Sequence, residues 1–189
     1  MTLTGSLPAV RWPGRLAAAW GILFAIPSFV WATGTTFGAD STVSPTLVQL
    51  ARDGVPWFIA VLVVTGLLKL FGAVIGLGLL KPRSRWAGRT LVFCGGGAAI
   101  LLLWHGGLFV VQGVAVRAGL LTVPSEMNPL VGWYLYLWGP WFILGGLAFA
   151  ATVALHVRGS ADRPLRLFGL AGALGALVLS VAATAFGIA

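Results

Sequence analysis

Five long apolar stretches, separated by short polar segments, dominate the pattern of hydrophobic and polar positions along the chain. Each stretch is long enough to cross a bilayer as a helix of roughly 20 residues. They run approximately from Leu16 to Thr33, Pro56 to Leu80, Leu91 to Val116, Val131 to Val157 and Leu165 to Ile188. A short helix with Pro45 in its first turn is expected over Ser44 to Arg52. The sequence therefore predicts an all-α, polytopic transmembrane helix bundle that forms one domain over residues 1–189.

Charge placement predicts how the bundle is oriented. Only 8% of the residues are charged, against roughly a quarter in a soluble domain, so the net charge of +8 does not indicate nucleic-acid binding. Three alternate segments hold most basic residues: Arg11, Arg15, Lys81, Arg83, Arg85, Arg89, Arg158, Arg163 and Arg166. The other loops hold only Arg52 and Arg117. The positive-inside rule then predicts a multi-pass plasma-membrane protein with a cytoplasmic amino terminus and an extracytoplasmic carboxyl terminus.

Lys69 lies near the middle of the second stretch, and no carboxylate occurs in that stretch. A charged side chain at the bilayer centre costs a few kcal/mol or more, so it usually marks a site or a specific partner. Thr65, Lys69, Gly72 and Gly76 recur at helical spacing and share one face, which indicates helix packing rather than lipid contact. Three roles are open for Lys69. It anchors an anionic or carbonyl group of a ligand, it joins a proton path, or it hydrogen-bonds to carbonyls that a kinked helix exposes.

Polar and aromatic residues gather in the predicted extracytoplasmic half of the bundle. His105 lies near the midplane and two helical turns from Gln112, on the same face of the third span. The candidate ligand-binding residues are Ser28, Trp31, Lys69, His105, Gln112, Tyr134, Trp138 and Trp141. Simpler roles remain open, because a histidine can bond one helix carbonyl and Trp and Tyr gather at bilayer interfaces. No metal site or cofactor is expected, since no other ligand cluster accompanies His105.

Three classes of function fit this pattern. The first is a pocket protein that binds or moves a hydrophobic or weakly anionic small molecule. The second is a membrane enzyme that acts on a lipid or isoprenoid, in the manner of a terpene cyclase, with Asp40 or Glu126 as the acid. The third is an accessory subunit, whose small-residue faces pack against another membrane protein or a second copy of this chain. Whether the protein is an enzyme is left open.

Four segments together resemble a family of small actinobacterial integral membrane proteins that is assigned only to a domain of unknown function. The segments are FAIPSFVWATG (residues 24–34), TGLLKLFG (65–72), CGGGAAILLLWHGG (94–107) and WYLYLWGPWFILGG (133–146). The resemblance covers about residues 17–157, so the fifth span looks like an addition to a four-span core. It implies no activity. Members often carry an acidic residue where this chain has Gly139, so the resemblance implies that a natural partner for Lys69 is missing.

Overall fold

The computed structural model describes residues 11–81, 83–160, 162 and 164–186, and within these ranges it contains helices but no strand. This confirms the all-α prediction. The helices are α1 (Trp12–Ala32), α2 (Ala39–Thr42), α3 (Pro45–Arg52), α4 (Pro56–Gly78), α5 (Arg85–Arg117), α6 (Asn128–Trp133), α7 (Gly139–Arg158) and α8 (Leu165–Ala185). A 3₁₀ turn (Ser125–Met127) precedes α6, and a π-helical turn (Tyr134–Trp138) joins α6 to α7.

Five helical segments are long and apolar enough to cross a membrane, as predicted, so the chain is a membrane protein. The predicted short helix is confirmed as α3, with Pro45 in its first turn. Three starts differ because hydropathy marks only the apolar part of a helix. The first span begins at Trp12, the third at Arg85 and the fourth at Asn128, each ahead of its apolar stretch. Ile188 and Arg163, which the predictions also used, lie outside the described residues.

The fourth span changes its helical winding near its middle. The backbone N–H of Gly139 donates to the carbonyl of Tyr134, five residues back, instead of four residues back as in an α-helix. Pro140 follows immediately and has no N–H to donate, so the normal bond to the carbonyl of Tyr136 cannot form there. The wider turn and the proline therefore interrupt the α-helical hydrogen bonds at one place, and the chain continues as α7.

Four of the five spans contact one another in a closed order, and the fifth packs on the outside. Helix α1 packs along α4 and also contacts α7, α5 packs against both α7 and α8, and α4 makes a smaller contact with α5. Glycines allow close approaches: a Cβ at Gly76 would lie 3.0 Å from the carbonyl oxygen of Gly14, and one at Gly96 would lie 2.5 Å from that of Gly169. Helix α8 contacts mainly α5. It therefore lies at one edge of the bundle.

The two ends of the bundle differ in charge. We call the end with Arg15, Arg85, Arg89 and Arg158 the basic end. There, the Arg89 guanidinium bonds both oxygens of the Asp162 carboxylate at 3.1 Å. The opposite end, the acidic end, carries Asp40, Asp53 and Glu126 together with α2 and α3. Between the ends, the outward face of α4 exposes apolar side chains suited to lipid: Val63, Val64, Leu67, Leu68, Phe71 and Val74.

Candidate functional site

Lys69 reaches from α4 to α1. Its Nζ donates a hydrogen bond to Ser28 Oγ at 2.7 Å and lies 3.6 Å from the centroid of the Phe24 ring. Phe24 and Ser28 are one helical turn apart and therefore present both groups on the same face of α1. Ser28 is only 3% exposed, so its hydroxyl is shielded from the surroundings. Among the described residues, no carboxylate forms an ion pair with Lys69.

These contacts explain how the ammonium is tolerated within an apolar span. A desolvated cation over an aromatic face gains about 2 kcal/mol, and a hydrogen bond to a charged group contributes roughly 1.5–3 kcal/mol. Together they are comparable with the few kcal/mol that a charge at the bilayer centre costs. An ammonium has three N–H donors, and only one is used by the described residues. Lys69 therefore keeps hydrogen-bonding capacity for another group.

A set of rings in edge-to-face contact, which we call the aromatic layer, extends from Lys69 across the bundle. It consists of Phe24, His105, Phe109 and Phe142. The ring centroid of Phe142 lies 5.0 Å from that of Phe24, 4.8 Å from that of His105 and 5.8 Å from that of Phe109. His105 and Phe109 also contact each other at 4.6 Å. The layer fills the space between Lys69 and α5 with side chains that pack on one another.

The three tryptophans among the candidate ligand-binding residues form hydrogen bonds to neighbouring segments, through an indole nitrogen or a backbone carbonyl. Trp138 Nε1 donates to the carbonyl of Thr42 at 2.8 Å and ties the π-helical turn to α2. Trp31 Nε1 donates to the carbonyl of Phe37 at 3.0 Å. The carbonyl of Trp141 accepts from Trp20 Nε1 at 2.8 Å. Trp141 Nε1 itself is buried and has no hydrogen-bond partner among the described residues. An unpaired buried donor lowers the stability of the fold unless another group binds it.

A groove of about 260 Å³ opens between α5 and the start of the fourth span, at the acidic end. We call it the α5–α6 groove. One wall comes from α5: Phe109, Gln112, Gly113 and Val116. The other wall comes from the segment that leads into the π-helical turn: Val123, Met127, Val131 and Tyr134. Gln112 and Tyr134 are the polar members, so the groove combines apolar walls with an amide and a phenol.

The predicted site residues thus fall into separate groups. Lys69 and Ser28 lie together at the α1–α4 contact, whereas Gln112 and Tyr134 line the α5–α6 groove, and the aromatic layer lies between. His105 belongs to the layer itself. Sequence reasoning did not name the apolar groove residues. Helical spacing from Gln112 could have indicated some of them, because positions 109, 112, 113 and 116 share one face of α5.

The two candidate acids lie at the surface. Asp40 pairs with Arg52 at 2.9 Å, and both side chains are 55% exposed. Asp40 also accepts a hydrogen bond from Thr36 Oγ1 at 3.0 Å. Glu126 is exposed and directly precedes Met127, which lines the α5–α6 groove. Within the described ranges, no three His, Cys, Asp or Glu side chains are grouped closely enough to hold a metal ion.

Comparison with known families adds one relationship. The model of the family described as protein of unknown function DUF3995 matches residues 21–149. The chain belongs to this family. The matched DUF3995 segment begins within α1 and ends within α7, so it contains Lys69, the aromatic layer and both walls of the groove, whereas α8 lies beyond it. No curated protein and no solved structure matches the chain.

Proposed function

We propose that the protein binds a hydrophobic small molecule in the α5–α6 groove. The observation that carries the proposal is the groove itself, which combines apolar walls with two hydrogen-bonding side chains, Gln112 and Tyr134. Ligand sites typically have this composition, with a few polar groups that fix orientation within an apolar lining. The groove is also open on one side, which suits a molecule that enters from the bilayer and leaves an apolar tail outside.

The size of the groove limits the ligand. An apolar cavity of about 150 Å³ is known to hold one benzene ring, and sites for drug-sized molecules begin at about 300 Å³. A volume of about 260 Å³ therefore suits a single substituted ring. The Gln112 amide both donates and accepts hydrogen bonds, as does the Tyr134 hydroxyl. We propose a ring that carries carbonyl or hydroxyl groups, such as a quinone or phenol head with an apolar chain.

A photoreactive probe tests this proposal. A decyl-benzoquinone that carries a diazirine would be cross-linked to the protein in lipid nanodiscs, and the labelled peptides would be identified by mass spectrometry. We expect labelling between residues 109 and 134. Loss of one ligand hydrogen bond costs about 0.5–1.5 kcal/mol, so Tyr134→Phe and Gln112→Leu should each weaken binding roughly 2- to 12-fold.

Tyr136 supplies a matched control. It lies on the same π-helical turn as Tyr134 but is 66% exposed and does not line the groove. Tyr136→Phe removes the same hydroxyl group and should leave the affinity unchanged. Labelling outside the groove, or equal affinities for the Tyr134→Phe and Tyr136→Phe variants, would contradict the proposal.

We further propose the orientation that the charges predict, with the basic end in the cytoplasm. The observation in support is the concentration of arginine at one end of the bundle. Cys94 is the only cysteine, so a Cys94→Ala chain can carry single cysteines at Ser84 or Ser125. In intact cells, a maleimide that cannot cross membranes should label Ser125→Cys and should leave Ser84→Cys unlabelled. The reverse pattern would overturn the orientation.

A further inference from the structure

We propose that Lys69 forms a second binding site, separate from the α5–α6 groove, for the carboxyl group of a single-chain fatty acid. The site is built from the Lys69 ammonium, the Ser28 hydroxyl and the Phe24 ring. Its ligand enters from the bilayer, and its acidic group accepts the N–H donors of Lys69 that the protein leaves free. It does not depend on the groove, because the two sites lie on opposite sides of the aromatic layer.

The position of the ammonium limits what else could bind it. Ser28 Oγ takes one N–H at 2.7 Å, and the Phe24 ring covers one side of Nζ at 3.6 Å. Two N–H donors have no acceptor among the described residues. A carboxyl group presents two oxygens that match such a pair of donors, and charge-assisted hydrogen bonds of this kind are roughly twice as strong as neutral ones.

Thr65, one turn before Lys69 on α4, marks the side from which an acyl chain can approach Nζ. Thr65 and Lys69 share one face of α4, and both are only partly buried. On the other side of Lys69, the Phe149 ring of α7 lies against α4, because a Cβ at Gly72 would be 3.4 Å from Phe149 Cζ. We therefore expect the acyl chain to lie along the Thr65 side while its acidic group contacts Nζ.

The depth of the site favours a fatty acid over a phospholipid head group. Lys69 lies thirteen residues after Pro56 and nine before Gly78, which corresponds to about 20 Å and about 13 Å from the two helix ends. A phospholipid head group stays at the bilayer surface and carries a permanent charge. A carboxylic acid can lose its charge by taking up a proton, so it crosses the apolar region without the cost of burying an ion.

The chain contains only two lysines, which gives the experiment an internal control. Lys69 lies inside a span, and Lys81 is exposed at the basic end. Acetic anhydride crosses membranes and acetylates free amines, and mass spectrometry measures the rate at each lysine. In phosphatidylcholine nanodiscs, dodecanoic acid should slow acetylation of Lys69 about tenfold more than dodecanol does. Acetylation of Lys81 should be unaffected by either compound.

Direct binding gives a second, independent measurement. A diazirine-bearing dodecanoic acid should cross-link to α1 or α4 of the wild-type protein and of the Lys69→Arg variant. Cross-linking should be lost in Lys69→Met and retained in Lys81→Met. If Lys69→Met fails to insert into the membrane, the proposal is tested by the acetylation of the wild-type protein, with dodecanoic acid compared against dodecanol.

Three results would overturn the proposal. Equal protection of Lys69 by dodecanol and dodecanoic acid would show that the site does not recognise the acid. Undiminished cross-linking of a folded Lys69→Met variant would show that Lys69 is not part of the site. Protection of Lys69 when phosphatidylglycerol replaces phosphatidylcholine, without added fatty acid, would assign the site to a phospholipid head group instead.

Discussion

Two adjacent glycines on α5, Gly106 and Gly107, have opposite surroundings and allow a controlled test of the contact that supports the groove. A Cβ at Gly106 would lie 2.6 Å from the carbonyl oxygen of Gly139 and 2.9 Å from Ile143 Cγ1, whereas one at Gly107 would have no heavy atom within 4 Å. Ordinary contacts of a Cβ begin near 3.4 Å, so Gly106→Ala must separate α5 and α7 by about 0.8 Å.

The expected energies follow from that separation. Both substitutions gain the helix propensity of alanine, about 1 kcal/mol relative to glycine. Only Gly106→Ala also carries the cost of an overpacked interface, about 1–3 kcal/mol. The free energy of unfolding of Gly106→Ala should therefore be about 1–3 kcal/mol below that of Gly107→Ala, because the propensity term is common to both.

Unfolding by dodecyl sulfate in mixed micelles, followed by tryptophan fluorescence, measures this difference. The groove provides a second readout, because Gly106 lies close to Phe109, which faces Tyr134 with ring centroids 4.8 Å apart. We expect the benzoquinone probe to bind Gly106→Ala more weakly than Gly107→Ala. Equal stabilities for the two variants would refute the close α5–α7 contact.

Two further contacts give predictions of their own. Trp138→Phe removes the hydrogen bond to the carbonyl of Thr42, so amide hydrogen exchange in α2 should speed up while exchange in α7 stays unchanged; equal rates in α2 would argue against this tie. Arg89→Gln breaks a two-bond ion pair with Asp162, in which both side chains are only 18% exposed, and should cost about 1–3 kcal/mol of unfolding free energy. The exposed Arg85→Gln is its control and should change that free energy by less than about 0.5 kcal/mol.

The helical bundle could be predicted from the sequence because a lipid environment leaves a spanning chain few alternatives. Every backbone polar group must be bonded internally, so an apolar stretch of adequate length forms a helix whatever its neighbours are. The approximate depth of Lys69 follows in the same way, since helix rise is fixed at 1.5 Å per residue. The sequence named Ser28 as a candidate ligand-binding residue, but its hydrogen bond to Lys69 could not be predicted, because it joins two different helices.

The groove and the π-helical turn could not be predicted, for a different reason. Both depend on how helices approach each other and not on the periodicity of one helix. The α5–α6 groove exists because Gly106 brings α5 onto α7 while the segment before Tyr134 diverges. Likewise, the sequence around Gly139 and Pro140 does not distinguish a π turn from a simple proline kink. The difference depends on how Trp138 and Leu135 pack against neighbouring helices.

The π-helical turn also determines in which direction the side chains before it in the fourth span face. A π turn contains one residue more than an α turn, so α6 is rotated by about 100° and advanced by about 1.5 Å relative to an uninterrupted α-helix. Tyr134 faces α5 only because of this added residue. A chain shortened by one residue within Tyr134–Trp138 would still have a continuous helix of full spanning length. It would present a different set of side chains to α5. The presence of this one residue therefore determines which side chains line the groove.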